Sequence, residues 1–181
     1  MYEIKRGGHA DMKRVYPMFE FDFKDWERPS LVSCQLGLIK GAELLLLKDE
    51  AGLEAGYAYM LRDRARRFAL LGWLGVYPTV RGGGIGAQFV ELIKERYARY
   101  ECVFLEVTQY PELEKARRLA GFYKRHGWQE TPVGRYEIGG EPTLLLHLGE
   151  APERQAVKYA IEAVYSPMYQ PAALSRHVRV E

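Results

Sequence analysis

The chain has 181 residues, 48% apolar and 13% aromatic, and carries a formal charge of +2 from 26 basic and 24 acidic side chains. A chain of this length buries a sizeable core without staples, and so even a charge balance excludes a nucleic-acid partner drawn in by the overall field. No run reaches the about 18 consecutive apolar residues of a membrane span, and the start, Met1-Tyr-Glu-Ile-Lys5, lacks an export signal, so a soluble cytoplasmic protein is expected. In chain order, the pattern predicts a strand over residues 2–5 and a helix over 10–19 that bends or ends near Pro17. Residues 19–29 alternate acids with aromatics and suit a strand weakly. Ser30 should cap a second helix running to about Ile39, and Glu43 to Asp49 reads as a strand around Leu44–Leu47. Glu50-Ala-Gly52 is a turn. A hairpin follows, with strands Gly56–Leu61 and Phe68–Val76; Arg62, Arg64, Arg66 and Arg67 around Asp63 read as its solvated turn rather than an RNA patch. The second strand is apolar on both faces, which suits a covered central strand. Ile85, Phe89, Leu92, Ile93 and Tyr97 recur at helical spacing through Arg99, and Val103–Val107 is another buried strand, which implies a right-handed parallel crossover. Leu113 to His126 reads as a helix ended by Gly127. A strand pair from Trp128 and over Thr143–Leu148 joins through Gly139-Gly140, a helix spans Pro152–Tyr165, and the tail from Pro167 has no pattern. Without repeats or linkers, one domain over residues 1–181 is expected.

Val76-Tyr-Pro-Thr-Val-Arg-Gly-Gly-Gly-Ile-Gly-Ala87 leaves a buried strand and opens a helix. Such a loop presents free backbone N–H groups and the positive end of the helix dipole, an anion site. Glycine at 82, 83, 84 and 86 lets phosphate oxygens reach those donors, and Arg81 adds a charge beside them. A flexible turn with a glycine-lined helix contact is the plainer alternative. Gly82-x-Gly84-x-x-Ala87 also satisfies the dinucleotide-binding fingerprint, with Glu106 near the end of the next strand as a ribose acid. Against that reading, five residues separate strand from glycines and antiparallel strands precede the unit. A nucleoside-triphosphate loop fails, since no Gly-Lys-Ser/Thr follows. Cys34 and Cys102 are too few for a disulfide framework, and neither they nor His9, His126, His147 and His177 show metal-ligand spacing, so no metal is expected.

The loop resembles the acyl-CoA pyrophosphate loop of the GNAT superfamily of N-acetyltransferases, whose pattern Gln/Arg-x-x-Gly-x-Gly/Ala is filled by Arg81, Gly84 and Gly86. Leu71-Gly-Trp-Leu-Gly-Val76 resembles that family's fourth strand, and Leu105-Glu-Val107 with Ala120-Gly-Phe-Tyr-Lys-Arg-His-Gly-Trp128 its fifth strand and fourth helix. The core motifs lie within residues 68–128; the C-terminal helix and tail, 151–181, lie beyond them. The resemblance implies a stand-alone bacterial member with an α+β, three-layer acyl-CoA N-acyltransferase-like fold. Its mixed, mostly antiparallel sheet would be splayed between strands four and five and flanked by helices. It further implies a pantetheine arm along the backbone of Leu74 and Val76. The amides of Arg81, Gly82, Gly83, Gly84, Ile85, Gly86 and Ala87 would hold the pyrophosphate. The co-substrate would be acetyl-CoA foremost, or another acyl-CoA.

Direct transfer from a thioester to a primary amine in a ternary complex needs a neutral amine, a polarised carbonyl and a proton for the thiolate. A strand-four N–H near Leu74 or Val76 would polarise the carbonyl. Tyr123 fills the family position that protonates the thiolate, although Ala116, Leu119, Ala120 and Tyr123 also share a helix face suited to plain core packing. Glu106, an acid in an apolar strand, is the candidate base, with a structural pairing the equal alternative. The sequence departs from the family in having no acid over Phe68–Leu71 and in placing Ala116 and Leu119 where asparagine and alanine are common. Asp22, Asp25 and Glu27 with Phe23 and Trp26, or Tyr136, could line a site for a small-molecule or peptide amine, though a solvated helix connection suits the acids better. A homodimer stays open. So do two other functions, an NAD(P)-dependent oxidoreductase and a catalytically silent acyl-CoA sensor.

Overall fold

The computed structural model describes residues 1–109 and 113–180. Its residues cluster into two compact units, Met1–Leu61 with Leu71–Arg99, and Arg62–Leu70 with Tyr100–Glu181.

In the first unit the elements are β1 (Tyr2–Gly7), α1 (His9–Asp22), α2 (Leu31–Ile39), β2 (Glu43–Asp49), the bulk of β3 (Glu54–Asp63), the later part of β4 (Phe68–Val76) and α3 (Ile85–Arg96). The strand order is β1-β2-β3-β4, with β1–β2 and β2–β3 antiparallel, Ile4 facing Leu47 and Leu45 facing Ala58. Ser30 caps α2 as expected, its hydroxyl accepting from the Ser33 amide at 3.1 Å. The expectation for α1 fails: the helix runs through Pro17 to Asp22, so residues 19–22 are helical and not extended. Its buried face explains why. Met12, Val15 and Phe19 are fully enclosed, and Phe19 stacks on Tyr57 at 4.7 Å, so the packing outweighs the one hydrogen bond that proline withholds. Tyr57 and Tyr59 alternate onto the side covered by α1 and α2, where the Tyr59 hydroxyl donates to Cys34 O at 2.6 Å. Glu43 points to the other side, where Arg96 and Tyr97 at the end of α3 donate to it at 3.1 and 2.7 Å. Helices therefore cover both faces of this part of the sheet.

The second unit holds the first residues of β4, then β5 (Cys102–Thr108), α4 (Leu113–Arg125), β6 (Gln129–Glu130), β7 (Tyr136–Ile138), β8 (Glu141–Gly149), α5 (Arg154–Tyr165), α6 (Pro171–His177) and β9 (Val178–Val180). β5 runs parallel to β4 and antiparallel to β8, and the order is β4-β5-β8-β7-β9 with β6 also on β8. The sheet is mixed and helix-flanked, as the resemblance implies. Gly139 and Gly140, at φ 60° and 88°, make the tight β7–β8 turn. The patternless tail is instead a short helix and an edge strand, with Val180 facing Tyr136 and Val178 facing Ile138. Alternation along β5 sorts its neighbours. Val107 shares a cavity with Leu144 and with Ala116 and Ala120 of α4, whereas Glu106 reaches α5 on the opposite face.

Candidate active site

Between β4 and α3 the chain makes a 3-10 turn over Pro78–Val80, and then Gly82, Gly83 and Gly84 take left-handed φ values of 103°, 57° and 76°. Only glycine holds that run without strain. Gly84 is the N-cap of α3 and has no side chain with which to cap it. Three amides bond internally: Arg81 N to Pro78 O at 3.4 Å, Ile85 N to Gly82 O at 3.3 Å and Gln88 N to Gly84 O at 3.0 Å. Those of Gly82, Gly83, Gly84, Gly86 and Ala87 have no partner among the described residues. A Cβ built at 82, 83 or 84 would meet nothing within 4 Å, so no side chain crowds the backbone at those three positions. The Arg81 side chain is anchored. Its Nε donates to Val76 O at 2.8 Å and its Nη2 to Asp22 Oδ1 at 2.7 Å. Asp22 also accepts from the Tyr57 hydroxyl at 2.8 Å, and the exposed Asp25 pairs with Arg28, so both acids are engaged in ion pairs. Glu27 accepts from the Lys24 amide at 3.0 Å and closes that turn. Leu74 and Val76 are half-buried on β4, beside Gly75, where the backbone passes against Asp22 and Tyr57.

In the second unit the half-buried Glu106 carboxylate accepts one phenol on each oxygen, Tyr136 on Oε1 and Tyr165 on Oε2 at 2.6 Å. Both tyrosines are buried. Burial pushes the Glu106 carboxyl up to about 7, against the two phenolic hydrogen bonds, which favour the charged form. The phenols themselves are raised well above their usual value, first by burial and then by the Glu106 charge. Tyr123 extends the Ala116–Ala120 face of α4, edge-on to Phe122 at 5.1 Å and Trp128 at 5.8 Å. Burial raises its phenol too, and its hydroxyl has no hydrogen-bond partner among the described residues. Glu106 and Tyr123 thus flank β5 from opposite faces. Among the described residues no group of three His, Cys, Asp or Glu side chains could hold a metal ion, and no helix is long and apolar enough to cross a membrane.

A glycine-lined helix start after an antiparallel run, followed by an acid on the next strand, can be compared with known proteins. Residues 40–130 match the acetyltransferase (GNAT) domain. The chain belongs to the GNAT family. Among solved structures, a GNAT-family protein from Bacteroides thetaiotaomicron superposes with a TM-score of 0.72 at 18% identity, covering 91% of this chain and 96% of that one. The ribosomal-protein-S18-alanine N-acetyltransferase of Escherichia coli gives 0.63 at 16%, over 84% and 97%. A dodecameric spermidine N-acetyltransferase from Vibrio cholerae gives 0.63 at 11%, over 81% and 92%. No curated protein matches the sequence. At these identities the structures speak for the fold, and the family makes the chain an acyl-CoA-dependent N-acetyltransferase.

Family membership removes the dinucleotide reading of the GNAT loop, as do the antiparallel strands ahead of it and the 3-10 turn that separates strand from glycines. Sequence reasoning missed Tyr165. It closes the apolar stripe of an amphipathic helix and reads there as core, and only the isolated acid at 106 signalled that a buried donor must lie nearby. Tyr136 is enclosed against Glu106 rather than lining an open loop.

Proposed function

We propose that this GNAT protein transfers an acetyl group from acetyl-CoA to a primary amine of a small molecule or peptide by direct attack in a ternary complex. In this reading the amides of Gly82, Gly83, Gly84, Gly86 and Ala87 hold the coenzyme diphosphate, Glu106 is the base and Tyr123 the acid. The observation that carries it is the set of five unpartnered amides at the start of α3, next to a glycine run over 82–84 where an added Cβ would meet nothing within 4 Å. Arg81 and Ile85 shape that loop, and the backbone of Leu74 and Val76 is assigned to the pantetheine arm and the carbonyl oxygen.

The amine nitrogen forms a bond to the thioester carbonyl carbon, the C–S bond breaks, the nitrogen loses a proton to Glu106 and the sulfur takes one from Tyr123. A carboxyl that titrates near 7 is matched to this duty at neutral pH. A raised phenol keeps its proton at working pH and so has one to give.

Calorimetric titration tests the loop. Acetyl-CoA should bind, NADH should not, and Gly84→Val should weaken acetyl-CoA binding by about tenfold or more through blocked approach and a strained φ. Binding of NADH alone overturns the reading. Thiol release measured with spermidine, lysine and a short peptide beginning with alanine then separates an enzyme from a silent sensor.

A further inference from the structure

Tyr136 and Tyr165 both lie outside the residues that match the family, yet both end on Glu106. Tyr165 is the last residue of α5. Tyr169 packs edge-on against it at 5.8 Å, and His177 stacks on Tyr169 at 5.1 Å. The same segment then returns as β9 to pair with β7, the strand that carries Tyr136, and Arg179 on β9 lies 3.8 Å from its register partner on β7, the buried Glu137. One C-terminal segment therefore supplies one phenol and fixes the other. An ionised carboxylate can accept about four hydrogen bonds, so one phenol per oxygen leaves lone pairs for an incoming proton.

We propose that Tyr136 and Tyr165 are positioning residues that hold the Glu106 carboxylate ready for the acceptor amine's proton, which makes the C-terminal segment 154–180 a working part of the active site. The proposal rests on Glu106 being the base. The groups that face Glu106 are these two phenols, with Tyr169 and His177 behind Tyr165. From β8 come Leu145 opposite and His147 two positions along, held by Thr131 at 3.2 Å. Each phenol stabilises the charged carboxylate, so removing one hydroxyl makes the group harder to ionise.

The test is the acid limb of kcat/KM, measured with acetyl-CoA and the best amine of the panel above, together with the carboxyl-carbon NMR titration of Glu106, assigned by its loss in Glu106→Gln. In Tyr165→Phe and Tyr136→Phe, limb and titration should both move up by about one pH unit. Activity at pH 6.5 should then fall roughly tenfold while activity at pH 9.5 stays within about threefold. An even loss across pH, or an unmoved titration in both variants, overturns the proposal. Should one variant fail to fold, the other and the wild-type titration decide. If Glu106→Gln keeps the wild-type limb, the base reading fails and takes this proposal with it. A limb lost in Glu106→Gln but unmoved in the tyrosine variants sinks the positioning role alone.

Discussion

Tyr123 presents its ring to Phe122 and Trp128 and leaves its hydroxyl without a partner. A hydroxyl that makes no hydrogen bond within the fold contributes little to stability, so a purely structural tyrosine here would work as well as phenylalanine. Tyr123→Phe should therefore leave the melting temperature unchanged, while kcat falls about 10²-fold and acetyl-CoA binding holds. Unchanged kcat would return Tyr123 to the core of α4. At this scale the sequence was legible where a residue type was out of place. An acid in the apolar run Val103–Val107 and four glycines ahead of a helix each demand a physical reason. It was silent on pairings between distant residues. Arg81 was expected beside a phosphate and is found on Asp22, 59 positions away, an ion pair that no local pattern encodes.

Elements with a strong period were legible nearly to the residue, as with β2 over Glu43–Asp49 and β4 over Phe68–Val76. Those decided by tertiary packing were not. Pro17 gave a helix break that the burial of Phe19 overrode, and β9 is too short for alternation to show. Gly75 shows how closely β4 is packed in the first unit. A Cβ there would lie 2.5 Å from both Asp22 Oδ2 and Tyr57 Cε1, and neither can swing aside, since Asp22 is held by Arg81 and by the Tyr57 hydroxyl. Gly75→Ala should cost about 2 kcal/mol in urea unfolding and weaken acetyl-CoA binding by loosening Arg81 from Asp22, whereas Gly52→Ala should cost only the strain of its positive φ. Equal losses in calorimetric affinity from the two variants would show that the contact at 75 does not reach the loop.

For the molecule as a whole, the titration of Glu106 couples the active site to stability. Its folded pKa of about 7 stands above the ordinary glutamate value of 4.5, so between those limits the folded chain binds more protons than the unfolded chain. Stability from this group is fully present below about pH 4.5 and is lost as pH rises through 7. His147 and His177 act in the opposite sense, since burial lowers both, and their contribution is lost as pH falls. Asp11, lowered by the Gly8 amide, and Glu54, lowered by Arg14, withdraw stability only toward more acid pH. The total curve therefore mixes signs, but the difference between the wild type and Glu106→Gln cancels every group except Glu106. By urea unfolding the variant should gain on the wild type by about 3 kcal/mol between pH 4.5 and 7.5 and then hold level. That trend marks a carboxylate held in its burial for use rather than for stability. A flat difference would mean that Glu106 titrates as an ordinary acid, and a base poised near neutrality would be lost with it.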